Sequence, residues 1–141
     1  DLPSYKSIEY KLIEPAVCTQ YFYNLDKSRL LEFDSQFQQV DLNDDRRYYE
    51  LDFSFHSWLV SAAKNQTLDA FFHSLMQLQY RFSMYTVRMG TAVKGDFYTE
   101  HHEIIEALLS EDLERLGRVL VSHANYSEVI ALRTLIAAQI S

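Results

Sequence analysis

Apolar residues recur every three to four positions through most of this chain and rarely alternate with polar ones, a pattern that predicts helices and no sheet. Ile8, Leu12, Ile13, Ala16 and Val17 mark a first helix from Ile8 to about Tyr23, in which Pro15 removes a backbone donor and predicts a bend. Asp26 caps a second, running to about Val40 with Leu30, Phe33 and Phe37 inward. After a break at Asn43–Asp45, the stripe Tyr48, Leu51, Phe55, Leu59 and Ala62 predicts a third helix from about Arg46 to Ala63. Lys64, Asn65 and Gln66 form the next loop. The longest helix follows, about Thr67 to Met89, with Leu68, Phe72, Leu75, Leu78 or Gln79, and Phe82 inward. Gly90–Gly95 is the clearest loop.

The stretch from Tyr98 to Asn125 reads as a helical hairpin that turns at Ser110, Glu111 and Asp112. The second arm is expected to run on through Ile130 and Leu135. His101 lies eleven residues before Asp112 and His123 eleven after it, so folding there brings the two level. On the first arm His101, Ile104, Ile105 and Leu108 form one stripe, and on the second Leu113, Leu116, Leu120 and His123 repeat it. Both imidazoles are therefore expected to face the interior. His102, one position round the helix, is not, and His73 falls off its own helix's apolar stripe.

Asp52 and His56 sit at i and i+4 in or beside the stripe of the third helix. A carboxylate on a core-facing stripe must meet a cation, a metal or several donors, because burying it alone costs several kilocalories. Two readings follow. Asp52, His56, His101 and His123 form one four-donor metal site, or Asp52 and His56 pair locally while the other two histidines pack in the core. One carboxylate and three imidazoles suit a divalent transition metal, zinc first, with nickel, manganese, iron or cobalt as alternatives, rather than calcium or magnesium.

Composition narrows the class. The 141 residues fit one domain, spanning 1–141, and 48% apolar with 14% aromatic content supports a real core. Three Gly and two Pro leave few tight turns, in keeping with an all-α fold. A net charge of −7 with no basic stripe argues against a grip on nucleic acid by this chain alone. The lone Cys18 forms no internal disulfide, and neither a secretory signal nor an apolar run of membrane-span length is visible. A soluble, cytoplasmic protein is expected. Asp1 rather than Met begins the sequence, and residues 1–7 read as a lead-in from something upstream.

These residues resemble the FCD domain, the C-terminal effector-binding domain of one branch of the GntR family of bacterial transcription regulators. The marks run from about Ile8 to Ile130: Glu14 with Ala16 and Val17, Asp52-Phe53-Ser54-Phe55-His56, Asn65 with Leu68, Glu100-His101 with Ile104 and Ile105, Glu111-Asp112, and His123. The resemblance implies an antiparallel bundle of six or seven helices around a central cavity. In it Asp52, His56, His101 and His123 hold the metal, and the metal helps bind a small carboxylic acid. It also implies a homodimer that reaches DNA only through a winged helix-turn-helix domain absent from this sequence. Two positions depart from the pattern: Tyr10 where an Arg is common, and Glu111 where a Gly is common.

The expected function is therefore a non-catalytic sensor domain, with Arg81 or Arg88 as candidate partners of the effector carboxylate. The rival from the enzyme class is a metal-dependent hydrolase or lyase with Glu100 or Glu103 as base. A third reading is a structural dimerisation module, for which Tyr21, Phe22 and Tyr23 offer an aromatic patch.

Overall fold

The structure, a computed structural model, describes residues 13–90, 92 and 96–124. Among them are six α-helices and no strand: α1 (13–21), α2 (Lys27–Gln39), α3 (Asp45–Val60), α4 (Gln66–Arg88), α5 (Phe97–Leu109) and α6 (113–124). Short 3-10 turns, Phe22–Asn24 and Ser61–Ala63, follow α1 and α3. The two turns are tied together where the Asn24 side chain donates to the Ala62 carbonyl at 2.9 Å. The lead-in 1–7, Ile8, Tyr10 and Leu12 at the start of the first helix, and the extension of the last through Ile130 and Leu135 lie outside the described residues.

Each helix start from α2 onward has a physical cause. Asp26, Asp44, Asn65, Asp96 and Asp112 occupy the capping positions, and each side chain accepts a backbone N–H from the first turn, at 2.9 to 3.2 Å. The α5–α6 turn closes by backbone bonds from Asp112 N–H to the Ala107 carbonyl (3.0 Å) and from Glu111 N–H to the Leu108 carbonyl (3.2 Å). This is the Schellman arrangement, and it places Glu111 at φ 57, the left-handed position that glycine usually takes.

The core forms where α2, α3 and α5 present their rings. Phe33 and Phe37 of α2 meet Phe55 of α3 edge-on, each pair at 5.1 Å, and Phe37 meets Phe97 of α5 at 5.2 Å. Leu116 and Leu120 bring α6 onto the same core, and α4 packs chiefly on α3. The predicted stripes of α2, α3 and α5 are all buried.

Two stripes are redrawn. In α1, Ala16 is exposed, whereas Glu14 and Cys18 are buried beside Val17. In α4, Leu78 is 40% exposed and Gln79 half-buried, while Met76 is buried with Phe72 against Val60 and Ala124. That helix has 23 residues, and its buried line is the one facing α3 and the end of α6, through Phe72, Met76 and Thr86. Pro15 lies inside α1, two residues from the first described position, so the predicted bend falls on residues outside the described ones.

Candidate metal centre

The third helix supplies Asp52 and His56 on one face, one turn apart, and the α5–α6 hairpin brings His101 and His123 to the same depth. Their ligand atoms all lie within 4.8 Å of one another. His56 and His101 are fully buried. The Asp52 and His123 side chains are 17% and 11% exposed, so the group reaches solvent on that side alone.

Hydrogen bonds fix how the rings are turned. His101 Nδ1 lies 2.7 Å from the Phe97 carbonyl, which can only accept, so Nδ1 carries a proton and Nε2 faces inward. That Nε2 is 2.7 Å from Asp52 Oδ1. The ring is also stacked on Phe37, with centroids 4.2 Å apart. His56 is held in the same sense: Nδ1 is 2.6 Å from Glu14 Oε1, and Nε2 is 3.1 Å from Asp52 Oδ1. His123 lies parallel to His56 at 4.9 Å and edge-on to His101 at 5.0 Å.

The charges follow from these contacts. Burial alone would push the His56 imidazole down, but the Glu14 and Asp52 carboxylates outweigh it and raise its pKa to about 10. Burial would raise Asp52, but the charge of His56 and the hydrogen bond from His101 hold it well below the usual carboxylate range. Burial, and then the charges of His56 and His101, push His123 well below the ordinary imidazole value, so it is neutral and carries a basic nitrogen. The metal-free cluster is thus an ionised Asp52 with a protonated His56 beside a neutral His123.

The arrangement fits a divalent transition metal on its own chemistry. Two atoms bound to one ion at about 2.1 Å stand at most about 4.2 Å apart. The two Asp52–histidine separations, 2.7 and 3.1 Å, fall well inside that limit, and the widest spread of 4.8 Å needs a closure of only about half an ångström. In both His56 and His101 the outer ring nitrogen has an acceptor of its own, as metal-bound imidazoles require.

The other candidates stand elsewhere. His73 is exposed, edge-on to Phe53. His102 is half-exposed towards α2, with Nδ1 2.7 Å from Asp34 Oδ1 and Nε2 3.3 Å from Glu106 Oε1. Arg81 and Arg88 are exposed on α4. Glu103 is exposed as well, whereas Glu100 sits at the rim, its Oε2 3.9 Å from His123 Nδ1. Burial raises the Glu100 carboxyl, against a smaller pull from His101.

Sequence reasoning passed over the role of Glu14. Its position three and four residues before Val17 and Cys18 puts it on the buried line of α1, and it is 2% exposed. Glu14, like Asp52, is a carboxylate on an apolar stripe, and its burial requires a partner.

The described residues form an all-α bundle with one Asp/His3 group at the meeting of its helices. The family model for the FCD domain matches residues 10–126, and the chain belongs to that family. FCD domains are found in GntR-family transcription regulators. No curated protein and no solved structure matches the chain.

Proposed function

We propose that this domain senses a small organic acid through a divalent metal held by Asp52, His56, His101 and His123. The observation that carries the reading is the convergence of these four donors, from three helices, within 4.8 Å. When bound, the ion supplies a positive centre for an effector carboxylate on the side where Asp52 and His123 meet solvent. Zinc is the first expectation from the donor set, with nickel, manganese, iron and cobalt next. Arg81 and Arg88 are the proposed cations for the same carboxylate. Both stand exposed on α4.

In this reading the domain works in the cytoplasm as a homodimer, and effector occupancy biases the DNA affinity of a fused winged helix-turn-helix domain. Among the described residues no helix is long and apolar enough to cross a membrane. The test is elemental analysis of protein purified without chelator, followed by calorimetric titration of metal and then of small carboxylates. One metal per chain in the wild type and none in His101→Ala is the expected result. A wild type without bound metal after incubation with zinc, nickel and manganese would overturn the reading.

A hydrolytic role would cast Glu100 as the base, since it is the carboxylate at the rim and burial raises its pKa. Saturable binding of small acids without turnover separates the sensor from that alternative.

A further inference from the structure

Glu14 comes from α1, 42 positions before its partner His56 in the chain, and is buried with one oxygen 2.6 Å from the Nδ1 of that ring. Among the described residues its second oxygen, Oε2, is buried and has no hydrogen-bond partner. A carboxylate that merely fastened α1 to the bundle would be a poor choice there. Val17 and Cys18 already bury that helix's apolar face in the core, and an under-satisfied buried charge costs more than a neutral side chain.

The placement makes sense once the ion is counted. Three neutral imidazoles and two carboxylates, Asp52 and Glu14, carry two negative charges, which one divalent cation balances. We infer that Glu14 is the positioning residue of the metal centre: it holds the His56 ring by its Nδ1–H, presents Nε2 to the ion, and completes the charge balance without touching the metal. This rests on the metal reading proposed above, and it adds α1 to the three helices that carry the ligands.

The test compares cobalt(II) binding by the full chain as wild type, Glu14→Gln, Glu14→Ala and His56→Ala. Dissociation constants come from competition with a calibrated chelator, repeated from pH 7 to 9 so that the hold of Glu14 on the His56 proton is separated from its hold on the ring, and the visible absorption of bound cobalt reports its surroundings. Loss of an orienting partner of this kind typically weakens metal affinity about 10- to 100-fold. Glu14→Ala is expected in that range with an altered cobalt spectrum. Glu14→Gln keeps an acceptor oxygen but not the charge, and is expected to weaken binding by less. His56→Ala, which loses a ligand, is expected to be weaker than either.

A purely structural Glu14 would lower the melting temperature of the metal-free domain and leave the cobalt affinity and spectrum unchanged in both variants, which would overturn the inference while the metal site stands. Should Glu14→Ala fail to fold, Glu14→Gln, of nearly the same shape, decides between the two outcomes. A wild type that binds no cobalt would overturn both the inference and the reading beneath it.

Discussion

Metal uptake by this cluster is expected to expel a proton from His56. The ring donates from Nδ1 to Glu14 and its Nε2 lies 3.1 Å from Asp52, and the two carboxylates raise its pKa to about 10. Nε2 can bind an ion only after losing its proton, so the apparent affinity carries the fraction of His56 already deprotonated. That fraction is about one in a thousand at pH 7 and about one in ten at pH 9, so affinity is expected to rise roughly 100-fold between them. The metal-free domain has the opposite slope. A folded-state pKa raised above the unfolded 6.5 stabilises fully below pH 6.5, and that contribution is lost as pH climbs through about 10, at most on the order of 5 kcal/mol. Asp52, held low, contributes above its unfolded value and loses that contribution only in strong acid; His123, also held low, contributes above pH 6.5 and loses it as pH falls. Calorimetry in two buffers of different ionisation enthalpy counts the protons released, and chelator competition at pH 7, 8 and 9 gives the slope. Zero protons released and a flat affinity would refute the protonation scheme, whatever the metal.

Three further outcomes are expected. Replacing Glu111, at φ 57, by glycine relieves a left-handed strain and is expected to raise stability by about 1 kcal/mol in urea unfolding, since the Lys27–Glu111 ion pair it removes is exposed and 3.6 Å long. Metal at about 100 times its dissociation constant is expected to stabilise the wild type by about 2.7 kcal/mol in thermal unfolding, and Asp52→Ala, which removes the oxygen shared by His56 and His101, is expected to abolish that gain. His102→Ala, which breaks a half-exposed contact with Asp34, is expected to cost about 1 kcal/mol or less and to leave metal affinity unchanged, in contrast to His101→Ala.

Most of the architecture was legible because it rests on local rules. The cap Asp26, the loop around Asn65 and the turn at Ser110–Asp112 bound helices whose apolar stripes were already visible, and the equal spacing of His101 and His123 about the turn converted directly into equal depth. What escaped was set by tertiary contacts. Leu78 is as apolar as Met76, and only the approach of Val60 and Ala124 makes Met76 the buried one. Glu14 lies on the α1 stripe as plainly as Asp52 lies on that of α3, but its partner is 42 residues away and no periodicity links the two. His102 shows the reverse: the pattern turned it from the interior, while its contact with Asp34 on α2 depends on how two helices meet.

For a sensor, the way the centre is built limits how an effector can act. An effector that bound every arrangement of the domain equally would report nothing, and a tenfold change in DNA affinity requires about 1.4 kcal/mol of differential binding. His56 and His101 have little room to supply it, because His101 is stacked on Phe37 and bonded to Phe97 while Phe55 locks α3 against the same rings. His123 of α6 is less enclosed than those two histidines and stands with Asp52 at the solvent side of the group, beside Glu100. An effector on that face therefore meets α6 and the rim of α5 first. Any displacement of the shared ion would then reach α1 through His56 and the bond from its Nδ1–H to Glu14.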